Sequence, residues 1–141
     1  MLYMGIDVGT QGARCVVSDE AGRIAAAHSV PFRTINIAGH PGWQEQSPAD
    51  WQAAVEEAVR ACVGALKGAG HSPEAIRAIS VDGTSGTVVA LDRAHRPLTG
   101  GIMYNDPRAG AQAAEVHAAM GAHEKKLGFR FGGSFSLPRL L

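Results

Sequence analysis

The sequence predicts an α/β fold, a mixed sheet with flanking helices, and three observations carry that expectation. Residues 2–30 read as three consecutive strands joined by tight, glycine-containing turns. A long amphipathic helix follows over residues 48–66. A further apolar strand, 76–82, comes after that helix, and if the helix crosses over, this strand lies parallel to the first.

Residues 2–8 are apolar on both faces, which places this strand centrally. Residues 12–19 form the next strand, and Ala21-Gly22 supplies a hairpin turn into residues 23–30. Residues 31–47 are punctuated by Pro and Gly and read as loop. The helix over 48–66 has Ser47 as a good N-cap, Pro48 at its first position and Asp50 near its positive end. Trp51, Val55, Ala58, Val59, Cys62 and Leu66 recur at helical spacing as one apolar face, and Gly68 and Gly70 stop the helix. Residues 76–82 read as a buried strand, Thr87–Asp92 as another, Arg93-Ala94-His95-Arg96 as a turn and 101–104 as a short strand. Asp106 caps a second helix with Pro107 at its first position; Ala109, Ala113, Val116 and Met120 form its stripe and Gly121 its end. The tail from His123 is rich in Gly and Phe and is expected to be loosely held if the rest of the domain is missing.

A chain of 141 residues makes one domain with a real core, and its 45% apolar share fits a globular protein. Thirteen basic residues balance 13 acidic ones without blocks of like charge, which argues against nucleic acid or a membrane as the main partner. The longest apolar runs are far short of a membrane span, and Met1-Leu2-Tyr3 enters a strand directly, so a cytoplasmic protein is expected. Cys15 and Cys62 fall at apolar positions and read as reduced core thiols. His28, His40, His71, His95, His117 and His123 show no metal-ligand spacing, and no nucleophile signature is present.

The segment with the most chemistry is Met4–Arg14. An apolar strand ends in Asp7, a Gly-Thr turn follows, and a second strand begins at once. Gly9 and Gly12 carry no Cβ, so the turn can press its N–H groups on phosphate oxygens, with Thr10 and Gln11 adding side-chain donors. Asp7 can hold a hydrated Mg²⁺ beside the phosphates, and Arg14 can balance their charge. No Gly-Lys-Ser/Thr ends the turn, so it is not a P-loop, and a strand rather than a helix follows, so it is not a dinucleotide fingerprint.

This segment resembles the first phosphate motif of the actin/hexokinase/Hsp70 superfamily, whose domains are RNase H-like and open with three antiparallel strands. More narrowly it resembles the opening of FGGY carbohydrate kinases. Three later segments support the narrower match in order and spacing: Pro41-Gly42-Trp43-Gln44-Glu45-Gln46, Ile79–Thr87 and Met103–Ala109. The resemblance implies ATP-dependent transfer of a phosphoryl group to a sugar hydroxyl, with ATP and Mg²⁺ as cofactors. Asp7 would orient the metal, while Gly9, Thr10, Gln11 and Arg14 would approach the phosphates. Asp82, Thr84, Ser85, Tyr104, Asp106 and Arg108 would line the sugar site. Trp43 and Glu45 are expected to cover the sheet and anchor their loop.

Ser85 and Gly86 depart from both the Arg-Glu pair of glycerol kinases and the Met-His pair of xylulose kinases. Val81-Asp82-Gly83-Thr84-Ser85 with Tyr104-Asn105 looks closer to ribulose-type kinases, which implies a pentulose such as D-ribulose or xylulose. FGGY kinases have two such domains, and their general base, an Asp, opens the second half. The chain is therefore expected to be the N-terminal part of the first domain, incomplete, with that base beyond residue 141 and little turnover by itself. Its partners would be a small sugar and the missing C-terminal half, not nucleic acid or membrane. Apolar surface is expected where the rest of the enzyme would pack, with self-association as a homo-oligomer one way to hide it. Two other readings stand beside the kinase: a non-catalytic sugar-binding or regulatory module, and a metal-dependent nuclease of the same fold using Asp7, Asp82 and Asp106.

Overall fold

A computed structural model describes residues 1–141. In chain order its elements are β1 (Leu2–Gly9), β2 (Gly12–Asp19), β3 (Ile24–Pro31), β4 (Ile35–Asn36), β5 (Gln44–Gln46), α1 (Pro48–Gly68), β6 (Ile76–Gly83), β7 (Gly101–Ile102), α2 (Gly110–Leu127) and α3 (Ser136–Arg139). The chain divides into two compact units, Met1–Arg33 with Ala49–Thr84, and Thr34–Pro48 with Ser85–Leu141. The fold is mixed α/β, as expected. No helix is long and apolar enough to cross a membrane.

The first unit is a four-stranded sheet in the order β3-β2-β1-β6. β2 runs antiparallel to both its neighbours, and β6 pairs parallel with β1 after the α1 crossover. β1 is therefore an interior strand, as its two apolar faces demand. Leu2, Met4, Cys15, Val17 and Ala26 on one face meet Ala58, Cys62 and Leu66 of α1. The helix buries Ala54, Ala58, Cys62 and Leu66, one residue per turn, while Trp51, Val55 and Val59 flank that line half-buried. Both cysteines are free and buried, as predicted. Burial, reinforced by the neighbouring Cys62 thiol, pushes the Cys15 thiol up to about 12.

The strand expected to be buried, β6, is instead the exposed edge of this sheet. Ile79 and Val81 are in register with Met4 and Ile6 on the helix side, yet are 62% and 66% exposed, because the core built by α1 and β1–β3 takes in only Ile76 at the start of β6. Ile79 and Val81 thus leave exposed apolar surface along this edge.

The two-residue β1–β2 turn is a sharp one. A Cβ added at Gly12 would lie 2.4 Å from the Val30 carbonyl oxygen and 2.9 Å from Pro31 Cα. Neither backbone atom can swing aside, so Gly12→Ala is expected to destabilise the first unit by about 1–3 kcal/mol in a urea melt. A change within error would show that β3 gives way freely.

The second unit holds a small antiparallel sheet, β4-β5-β7, and helix α2. Residues 31–47 were read as loop, but β4 and β5 lie within them: each is two or three residues long and carries too little alternation to stand out. Thr87–Asp92 is not a strand. Val88 and Leu91 each make one bridge, to Ile102 and Pro97, before Asp92 turns the chain by accepting the N–H groups of Ala94 and Arg96. β7 covers only two residues of the strand expected over 101–104. Asp106 caps as predicted, but its first turn is 3₁₀ (Pro107–Ala109). α2 then runs through Gly121 and ends at Gly128, whose φ of 75° and N–H bond to the Glu124 carbonyl form the stop.

The tail is more anchored than expected. Phe129, Phe131 and Phe135 pack ring on ring at 5.2–5.6 Å. Buried Glu124 accepts the Phe131 N–H and pairs with His117.

Candidate functional site

In the first unit the segment Met4–Arg14 takes the strand–turn–strand form its sequence suggests. Asp7 is the residue of β1 in register with Arg14 on β2 and with Asp82 on β6. Three charged residues thus form a row across three adjacent strands, near the end where parallel β1 and β6 both finish. Open α/β sheets bind their ligands outside such carboxyl ends. Arg14 Nη1 donates to Asp7 Oδ2 at 2.9 Å, and both side chains are about half exposed, at 51% and 46%. The turn at Thr10 and Gln11 follows directly. A Cβ at Gly9 would sit 3.0 Å from Arg14 Nη1 and 3.5 Å from the Asp7 carboxylate, so glycine keeps that corner open.

Asp82 is tied to its own turn by the Gly83 N–H at 2.8 Å. The Thr84 N–H reaches the Val8 carbonyl at 3.2 Å, which holds the β6 exit against the end of β1. An open groove of about 510 Å³ runs over the sheet face beside this row, lined by Ile6, Val16 and Ala27 together with Asp7, Arg14 and Asp82.

In the second unit Asp106 is buried and fully engaged. It accepts the Gln44 N–H at 2.7 Å, the Arg108 N–H at 2.8 Å, and Arg108 Nε and Nη2 at 2.9 and 2.8 Å. Burial alone would raise its carboxyl; the Arg108 guanidinium, with the Arg108 and Gln44 N–H groups, outweighs it and holds the group below the usual carboxylate range. Arg108 also donates to Glu45 Oε1 at 2.8 Å and lies 4.1 Å over the Trp43 ring, which stacks on His40. The hydrogen bonds to Asp106 and Glu45 raise its pKa. Glu45 lies in β5, not in a loop, and ties that strand to Arg108, while Trp43, expected to cover the sheet, covers a guanidinium. With its oxygens occupied inside the second unit, Asp106 offers nothing to a metal, which removes one ligand from the nuclease reading.

A separate cavity of about 370 Å³ in this unit is lined by Ser85, Gly86, Tyr104, Ser134, Phe135 and Ser136. Gly86 has φ 76°, and a Cβ there would lie 2.3 Å from the Ser134 carbonyl oxygen, so glycine permits the close approach of the tail. Sequence reading found Ser85 and Tyr104 but missed Ser134 and Ser136, because nothing in a Gly- and Phe-rich tail says where it folds back. The paired hydroxyls were the available signal. Of the predicted site residues, Asp7, Gly9, Thr10, Gln11, Arg14, Asp82 and Thr84 belong to the first unit, and Ser85, Tyr104, Asp106 and Arg108 to the second.

Residues 2–136 match the N-terminal domain of the FGGY family of carbohydrate kinases. The chain belongs to this family. Among FGGY relatives, the xylulose kinase of Escherichia coli (strain K12) is 29% identical over 140 residues, covering 99% of this chain and 28% of that protein. The glycerol kinase of Caldanaerobacter subterraneus is 33% identical over 103 residues, covering 72% of this chain and 19% of its own. A crystal structure of a xyloylose kinase from Brucella ovis superposes with a TM-score of 0.87 at 31% identity, covering 99% of this chain and 28% of that one. The FGGY domain described here thus spans about 28% of the length of the first of these relatives.

Proposed function

We propose that this chain is the N-terminal part of a sugar kinase that moves the γ-phosphoryl group of ATP onto a hydroxyl of a pentulose, D-ribulose or xylulose. The observation that carries the reading is the Arg14–Asp7–Asp82 row beside the Gly9–Gly12 turn, at the shared end of parallel strands. In that reaction the sugar oxygen bonds to the γ-phosphorus as the bond to the β-phosphate oxygen breaks. A protein accelerates it chiefly by positioning and charge neutralisation.

Backbone N–H groups of the turn, with Thr10 and Gln11, would face the phosphates, and Arg14 would balance their charge. Asp7 fits a role toward Mg²⁺: it is a half-exposed, hard oxygen donor, and Mg²⁺ asks for only one or two carboxylates besides water and phosphate. The ion, when bound, supplies neutralisation of charge on the phosphate oxygens. Asp82, Thr84, Ser85 and Tyr104 would face the sugar. Arg108 borders it, with Asp106 acting through Arg108. The base that removes the hydroxyl proton is proposed to lie in a second domain beyond residue 141. The free, buried cysteines suit the cytoplasmic setting of such an enzyme.

Pentulose rather than glycerol is supported by Ser85 and Gly86, which depart from the Arg-Glu pair of glycerol kinases, and by the xylulose kinases among the relatives. The test is ADP release by the whole protein with ATP and a panel of D-xylulose, D- and L-ribulose, glycerol and gluconate. A pentulose should exceed glycerol in kcat/KM by about tenfold or more. Preference for glycerol or gluconate, with xylulose and ribulose inert, would overturn the substrate assignment.

A further inference from the structure

α3 is four residues long, too short to hold itself in place. Its last side chain holds it. Arg139 Nε donates to the Gly133 carbonyl at 2.8 Å, Nη1 to the carbonyls of Ile102 (3.2 Å) and Met103, and Nη2 to those of Tyr104 (2.6 Å) and Asp106 (3.1 Å). None of these acceptors is a carboxylate. A guanidinium spread over five main-chain carbonyls is using its whole planar fork, which a lysine cannot copy.

The carbonyls come from two segments, 102–106 and the turn at Gly133. Both segments reach the lining of the 370 Å³ cavity: Tyr104 from the first, and Ser134, Phe135 and Ser136, which follow Gly133, from the second. Fixing main chain rather than side chains sets the separation of the walls and leaves the lining groups available to a ligand. We propose that Arg139 is a positioning residue that clamps the two walls of this cavity and thereby sets affinity for the sugar. The inference rests on the sugar-kinase reading for the identity of the ligand, but not for the clamp itself.

The experiment compares wild type, Arg139→Gln and Arg139→Lys in the whole protein, well below their melting temperatures. Arg139→Gln should raise the pentulose KM about 10–100-fold, as expected when a binding wall shifts by an ångström or less. The KM for ATP should move less than about twofold. Arg139→Lys should recover only part of the loss. Amide hydrogen exchange should quicken over 101–106 and 131–136 in both variants and stay as in wild type in β1 and β2. Equal changes in both KM values, a wild-type-like Lys variant, or unchanged exchange in the two segments would each overturn the clamp. If wild type phosphorylates no sugar, the sugar-kinase reading fails, and the exchange comparison still decides whether the clamp exists. If Arg139→Gln does not fold, Arg139→Lys supplies both readouts.

Discussion

Replacing Arg108 by Ala is expected to destabilise the protein by about 3–5 kcal/mol, the range for removing one partner of a buried ion pair. The Asp106 side chain has no exposed surface, and three of its four hydrogen bonds come from Arg108, two of them from the guanidinium. Alanine keeps the main-chain N–H bonds but leaves a buried carboxylate without its counter-charge. It also strips the guanidinium from the Trp43 face and from Glu45. The pH dependence follows from the depressed Asp106 carboxyl. A carboxyl held low in the folded state contributes stability above its unfolded pKa, and loses it as pH falls through the folded value. In the variant the Asp106 carboxyl rises, so protonation relieves it earlier. The deficit should therefore be largest at neutral pH and shrink in acid. Urea melts of both proteins at the two conditions measure it. A loss under about 1 kcal/mol at neutral pH would place the pair with ordinary surface ion pairs.

This network also shows where sequence reading stopped. Asp106 was identified as a cap from the Asp-Pro pair alone, because the N-cap signal is local. That the same carboxylate also receives Gln44, 62 residues away, could not be read from spacing. The strands of the first unit emerged nearly residue for residue, since long alternating runs and a long amphipathic helix leave little freedom. The burial of β6 did not. Apolar residues such as Ile79 and Val81 predict that a face wants cover, not that this chain supplies it. Short pieces fared worst: β4, β5 and β7 exist because they pair with one another, and no segment of two or three residues carries a period. Gly121 was read as a helix stop, but glycine inside a helix costs only about 1 kcal/mol, and α2 absorbs it.

The residues of the phosphate-type turn were legible for the opposite reason. A Gly-Thr turn between two strands, with a carboxylate just before it, needs no distant partner to take shape. The alignment of Asp82 beside Asp7 is tertiary, yet it follows once the crossover makes β1 and β6 parallel.

Asp7→Asn is the second large expected effect, and it should fall on turnover rather than on the fold. Its ion pair with Arg14 is half exposed, so losing it should cost no more than about 1 kcal/mol of stability. If Asp7 orients Mg²⁺ at the transferring phosphoryl group, loss of its charge should raise the barrier by a few kcal/mol, roughly 10²–10³-fold in kcat. Sugar affinity should change little, because in this assignment the sugar is faced by Asp82, Thr84, Ser85 and Tyr104.

The most direct measurement is ADP release by wild-type and Asp7→Asn whole protein at saturating Mg-ATP and pentulose, with pentulose binding to both followed by calorimetry. A wild type that turns over, and a variant that binds pentulose as well but turns over roughly 10²–10³-fold more slowly, is the expected result. A variant with near-wild-type kcat would contradict the assignment of Asp7 and the Gly9–Gly12 turn to the phosphate end of a sugar kinase.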